Sequence, residues 1–278
     1  MKLKFLGTAA GEGIPALLCD CDVCRRSRER GGKNLRARSQ AMIDDVLLID
    51  MPPETYSNLH RYRINLLNVR YWLITHTHPD HFHPTEFTFT RNGNFAHYAD
   101  DWHGIDIHGS ADLEVPLREF ICEDDHAAYM RYHRETAFQS FRCGDYTVTP
   151  LAANHGTENP FIYVIEKDGK AVLYAHDTGP FSKEVWAYLQ SMTATLSVVS
   201  LDCTAGSKMT YHYPVHMCLG WNIECRDELI KRGIANENTV FVLNHFSHNG
   251  DNAMYDDFKD IAKQHGFLAS FDGMEIEV

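Results

Sequence analysis

No stretch of the 278-residue chain carries the run of about 18 apolar residues that a membrane-spanning helix needs. The opening MKLKFLGTAAGEG has too short an apolar run for a signal peptide, so a cytoplasmic location without a membrane partner is expected. Internal repeats, low-complexity tracts and long linkers are missing as well, which removes repeat arrays and disordered scaffolds from consideration. Positive charge is scarce: 26 Lys and Arg face 38 Asp and Glu, a net charge of −12. A surface of that sign repels phosphate backbones, which disfavours long nucleic acids as partners but not small anions held at a metal. The eight cysteines lack the regular spacing of a disulfide framework. Cys122, Cys143, Cys203, Cys218 and Cys225 are isolated and read as buried small hydrophobes or partly exposed thiols.

Apolar residues make up 44% of the chain and charged residues 23%, a balance that specifies a folded protein. The length admits one large α/β domain or two smaller ones. Residues 2–7 alternate as a short strand; 11–39 have no convincing period and read as a loop that turns basic between Arg25 and Arg38. AMIDDVLLID (41–50) reads as a hairpin about Asp44-Asp45, and Pro52-Pro53 opens a helix with proline in its first turn. Further strands are expected at 71–75, 104–108, 141–150, 161–166, 171–175, 196–201 and 239–243, with helices at 223–231 and 253–265. The tail alternates around Asp272-Gly273 as a final hairpin, and strand-rich halves at 1–175 and 196–278 suggest two sheets.

The strand at 71–75 runs directly into HTHPDHFHP. His76 and His78 alternate on extended chain and so project to one side, while a turn through Pro79 brings Asp80 and His81 round to a neighbouring position. Four ligands in six residues are too many for one tetrahedral ion that must also meet substrate, and they suggest two ions. His83, Asp50 and Asn154 are candidates for groups that orient the ligands.

With its HxHxDH motif the chain resembles the metallo-beta-lactamase superfamily. The resemblance implies a single domain over 1–278 with an αββα sandwich, two mixed β-sheets flanked by helices. It implies that His76 and His78 join His155 around one ion and that Asp80 and His81 join His245 around the other. Asp177 in YAHDTG matches the family's bridging aspartate, and Asp50 after VLLI matches a recurring position. A carboxylate suits a bridge because its two oxygens serve ions about 3.5–4 Å apart. His176 points the opposite way from Asp177 on extended chain and stays outside the ligand set.

Cys19, Cys21 and Cys24 have CxCxxC spacing, compact enough for three thiolates to grip one zinc, with a fourth ligand required from elsewhere. FLGTAAGEGIPALLCDCDVC resembles the amino-terminal signature of the PhnP-type phosphodiesterases associated with phosphonate breakdown. That resemblance implies a structural zinc held by Cys19, Cys21, Cys24 and His248 in the loop at about 11–39, and a substrate that is a cyclic ribose phosphate or cyclic nucleotide. The two catalytic ions are expected to be zinc or manganese, with iron less favoured.

The expected reaction is hydrolysis of a small or cyclic anionic phosphodiester by a hydroxide bridging two ions. The family places a histidine before the last ligand against the substrate; His216 matches best as general acid, with His212 in reserve and Asp80 acting beside it. An RNase Z-like nuclease, a lactam or thioester hydrolase and a non-catalytic metal-dependent binding protein are the alternatives. Arg25, Arg26, Arg28, Arg30, Lys33, Arg36 and Arg38 form the one patch that could guide an RNA. A homodimer is left open.

Overall fold

Alternating side chains make Lys2–Gly7 a strand, β1, which buries Leu3, Phe5 and Leu6 and keeps Lys2 and Lys4 at the surface. The computed structural model describes residues 1–121 and 128–278, so Cys122 lies outside the described residues. β2 (Gln40–Ile43) and β3 (Leu47–Ile49) form a hairpin through Asp44 and Asp45, whose φ angles of 49° and 59° are the left-handed values such a turn requires. β4 (Tyr71–Leu73), β5 (Ile105–Gly109) and β6 (Met130–Arg134) follow in parallel.

The second sheet contains β7 (Phe141–Cys143), β8 (Tyr146–Ala152), β9 (Phe161–Lys167), β10 (Lys170–Ala175), β11 (Thr195–Asp202), β12 (Val240–Asn244) and β13 (Leu268–Ala269). β14 (Glu275–Glu277) returns to pair with β1. The sheets are seven-stranded, in orders β14-β1-β2-β3-β4-β5-β6 and β13-β12-β11-β10-β9-β8-β7, and each is antiparallel at one end and parallel at the other.

Phe5, Ile49 and Leu73 of the first sheet meet Tyr163, Val172, Tyr174 and Val242 of the second in a dry inner layer. α4 (Lys183–Ser191), α5 (Leu219–Lys231) and α6 (Tyr255–Gln264) cover the outer face of the second sheet through Val185, Leu229 and Phe258, once α1 (Asp22–Arg30), α2 (Thr55–Tyr62) and α3 (Glu114–Arg118) are counted in chain order. Trp72, Ile107 and Leu117 pack on the outer face of the first. The result is an αββα sandwich.

Five expectations are corrected. The 11–39 segment contains α1, capped by the Cys21 thiol, which accepts from Cys24 N–H at 3.5 Å; its exposed charges hide the helical period because only Cys24 and Ser27 are buried. Residues 141–150 are a hairpin, not one strand, with Gly144 at φ 58° in its turn. The strands flanking Asp272-Gly273 lie in different sheets, so the tail is a crossing and not a hairpin. The sheets divide between β6 and β7, and Pro52-Pro53 precede α2 instead of entering its first turn.

Asp272 ties this crossing to the amino-terminal segment. It accepts from Thr8 Oγ1 at 2.6 Å and Ala37 N–H at 2.6 Å, with Arg61 Nη1 at 3.7 Å. Burial nonetheless pushes its pKa from 3.8 up to about 6. A carboxyl so raised binds its proton more tightly folded than unfolded, a difference of roughly 3 kcal/mol. That stability is present below about pH 4 and lost as pH rises through about 6. Carbon-detected NMR titration of Asp272 should give a midpoint near 6, and a midpoint at or below its ordinary value would contradict this account.

Candidate metal centre

The parallel strands of both sheets finish at a common edge. Ile49 pairs with Leu73, Ala175 with Leu201 and Asp202 with Asn244, so Asp50, His76, Asp177, Asp202 and His245 emerge together. Asp50, Asp177 and His245 leave their strands with φ of 65°, 54° and 61°. Non-glycine residues in that region cost roughly 1–3 kcal/mol, a strain concentrated at functional sites. It bends each chain sharply so that the side chain enters the gap between sheets.

His76, His78, His155 and Asp177 present ligand atoms within 4.8 Å of one another, and Asp80, His81, Asp177 and His245 do the same. Asp177 belongs to both groups. Its Oδ2 lies 3.2 Å from His76 Nε2 and 3.3 Å from His81 Nε2, and its Oδ1 lies 3.3 Å from His155 Nδ1.

Hydrogen bonds outside these groups fix which nitrogens keep lone pairs. Asp50 accepts Thr75 N–H and Oγ1–H on Oδ1, both at 2.8 Å, and its Oδ2 takes the His81 Nδ1 proton at 2.7 Å. With its own proton given to Asp50, Thr75 Oγ1 accepts from His76 Nδ1 at 3.0 Å. His245 Nδ1 has Thr204 Oγ1 at 2.9 Å, and His155 Nδ1 has the Val215 carbonyl at 3.3 Å. These partners assign the Nε2 lone pairs of His76, His81, His155 and His245 to the interior.

His81 Nε2 therefore faces His245 Nε2 at 3.4 Å, and His155 Nε2 faces His78 Nδ1 at 3.1 Å. Acceptors that converge with carboxylates have no mutual attraction without a cation. Asp177 Oδ1 adds to the deficit, being buried with no hydrogen-bond partner. The donor set thus fits two divalent ions with N and O ligands.

The electrostatics agree. Burial works against charge on Asp177, yet His245, His216, His76 and His81 hold its pKa well below the ordinary value. Burial likewise opposes a proton on His81, but Asp50, Asp177 and Asp80 outweigh it and raise its pKa well above the usual range. His155, where burial prevails, falls to about 4. The carboxylates demand positive charge, and a divalent ion supplies it while releasing protons.

His216 Nδ1 lies 3.1 Å from Asp177 Oδ1 and 3.2 Å from Asp202 Oδ2, and only the second contact has hydrogen-bond alignment. Burial lowers its pKa, but the two carboxylates carry it to about 10. Asp202, which sequence reasoning missed, accepts Thr204 and Met217 N–H on Oδ1 at 2.9 and 3.0 Å and holds His216 and His245 with Oδ2. Its only signal is its place at the end of the apolar strand LSVVSL.

His212 is exposed beside Tyr211 and Tyr213 and does not line the cavity at the centre. Asn154 braces the His216 loop through the Pro214 carbonyl at 3.0 Å, where a Cβ on Gly179 would overlap that same oxygen. His83 is tied in by its backbone N–H to Met51 at 2.7 Å. His176 is buried against Ser200 Oγ at 2.6 Å and Asn244 Nδ2 at 3.0 Å, away from both groups.

Cys19, Cys21, Cys24 and His248 form a further group, with His248 Nδ1 3.7 and 3.4 Å from the Cys19 and Cys21 sulfurs. Tetrahedral zinc with bonds of about 2.3 Å to sulfur and 2.0 Å to nitrogen separates such atoms by about 3.5 Å, so the group fits. The basic patch beside it is internally paired: Arg26 reaches Asp257 at 2.8 Å, Arg30 reaches Asp257 at 3.5 Å, Arg38 reaches Glu54 at 2.6 Å, and Arg36 is buried.

Among known proteins, the family model described as "Beta-lactamase superfamily domain" matches residues 46–234. No curated protein matches the chain. Solved structures with a similar fold include a new diphosphatase from the PhnP family, at 19% identity over 100% of this chain and 97% of that one with a TM-score of 0.73. Zinc-bound PqqB from Methylobacterium extorquens is 14% identical over 100% of both chains, TM-score 0.70. The short form of human tRNase Z is 16% identical over 100% and 99%, TM-score 0.65.

Metal titration checks this geometry. Asp50→Asn weakens the acceptor that orients His81 and should reduce affinity at one of two ions by about 10–100-fold. Cys21→Ser should remove one zinc per chain and lower the melting temperature while the other ions are retained. Unchanged affinity in Asp50→Asn, or unchanged stoichiometry in Cys21→Ser, would contradict the corresponding assignment.

Proposed function

The chain belongs to the beta-lactamase superfamily, and we propose that it is a dinuclear metal-dependent hydrolase acting on a small or cyclic phosphodiester. The observation that carries this reading is the pair of ligand groups sharing Asp177 beside a cavity of about 370 Å3 with no lysine or arginine in its lining. When bound, two zinc or manganese ions supply Lewis-acid charge for the phosphoryl oxygens and acidify the attacking water.

The chain's own residues do the rest. His76, His78 and His155 would hold one ion and Asp80, His81 and His245 the other, with Asp177 within reach of both. Asp50 and Thr204 keep the imidazole tautomers. His216, steadied by Asp202 and lining the cavity, delivers a proton to the departing alcohol as the P–O bond breaks and water oxygen bonds to phosphorus. Cys19, Cys21, Cys24 and His248 would hold a structural zinc, which would pin the amino-terminal segment to the His245 loop. Residues 1–278 act as one domain, and the reduced thiol cluster suits the cytoplasm.

A nuclease reading draws on the tRNase Z likeness, but the paired arginines leave little free charge for an RNA backbone. Metal-loaded protein should hydrolyse bis(p-nitrophenyl) phosphate and lose turnover on metal removal. His216→Ala should lower kcat by about 10²–10⁴-fold with metal content retained, whereas Asp177→Ala should lose metal as well. Full metal occupancy with background rates on diesters would reject the proposal.

A further inference from the structure

The cavity has a buried floor and a chemically different rim. Asp177 and His245 are 3% and 1% exposed, whereas Tyr213 is 59% exposed and the Glu12 side chain 39%. Glu12 is held by Ser247 Oγ at 2.9 Å and Asn249 Nδ2 at 3.1 Å, both on Oε1, with His248 Nε2 at 3.8 Å. Tyr211 and Tyr213 complete this side, their ring centroids 6.3 Å apart and their planes inclined by 37°. Lys208 Nζ already lies 5.6 Å from the Tyr211 centroid, outside the cavity lining, so that ring accepts a cation.

The cavity lining carries one fixed carboxylate at the rim, two electron-rich rings and, among the described residues, no lysine or arginine, with Lys208 meeting Tyr211 from outside that lining. A second phosphate on the substrate would meet repulsion there, and a neutral arm would draw nothing from the charge of Glu12. An ammonium group gains from both the rings and the carboxylate. We propose that one ester arm of the phosphodiester is a cationic alcohol, bearing an ammonium or quaternary ammonium group that seats between Glu12 and Tyr211/Tyr213. The inference rests on the phosphodiesterase reading and adds the substrate's charge pattern: one anionic phosphoryl group over the metals and one cation at the rim.

The test uses metal-loaded full-length protein and three chromogenic diesters: p-nitrophenyl phosphorylcholine, its uncharged isostere p-nitrophenyl 3,3-dimethylbutyl phosphate, and p-nitrophenyl thymidine 5′-phosphate. The choline ester should exceed the isostere in kcat/KM by about tenfold, equivalent to ~1.4 kcal/mol. Glu12→Gln, which keeps an acceptor for Ser247 and Asn249, and Tyr213→Ala should each bring that ratio towards one with zinc content retained. Calorimetric binding of phosphocholine against 3,3-dimethylbutyl phosphate gives a readout free of turnover. Preferential phosphocholine binding without hydrolysis of any diester would sink the phosphodiesterase reading and keep the charge assignment. Equal values for choline ester and isostere, or preference for the thymidine ester, would overturn the inference while leaving the hydrolase in place.

Discussion

A single buried carboxylate organises the centre. Asp177 lies within 3.8 Å of imidazole nitrogens from His76, His81, His155, His216 and His245, side chains drawn from both sheets. Its own Oδ1 lacks a hydrogen bond. Such an arrangement is costly unless cations neutralise it, because desolvated acceptors have lost water without gaining a donor. The fold meets that demand by ending its parallel strands at one edge and turning three of them through left-handed residues, so that ligands distant in the chain approach without long loops.

Orientation is assigned to a surrounding layer whose members are themselves immobilised. Asp50 is fully buried and uses one oxygen for Thr75 and the other for His81. Asp202 does the equivalent work in the second sheet, with one oxygen on two backbone N–H groups and the other towards His216 and His245. Asp50 follows β3 and Asp202 closes β11, each at the end of a strand with a parallel partner in its own sheet. Ligand tautomers are thereby fixed by strand register instead of by flexible loops.

How much of this was legible depended on contiguity. His76, His78, Asp80 and His81 could be read directly because four ligands follow one apolar strand and their geometry is local. His155, Asp177 and His245 are single residues whose meaning arises only when strands align, and a family resemblance was needed to single them out. Asp202 had neither advantage: one aspartate closing an apolar strand looks like any strand terminus. α1 was hidden because a helix resting mainly on Cys24 and Ser27 has no apolar stripe. The 141–150 hairpin was hidden because its turn is a short interruption at Gly144, and the tail because Leu268–Ala269 and Glu275–Glu277 carry strand-like alternation without saying which sheet each joins.

Two residues separate His245 of the Asp177 centre from His248 of the cysteine cluster. His245 enters the centre and His248 enters the cysteine cluster, while Phe246 between them is wholly buried against the Arg36 guanidinium, 4.2 Å from its ring centroid. Ser247 and Asn249 hold Glu12, whose chain neighbour Gly11 approaches Asp80 so closely that a Cβ would stand 3.1 Å from its carboxylate. Displacing His248 therefore moves His245 on one side and the cavity rim on the other. The cysteine cluster thus reaches the Asp177 centre through a short lever, and site geometry tolerates errors of only about 0.5 Å.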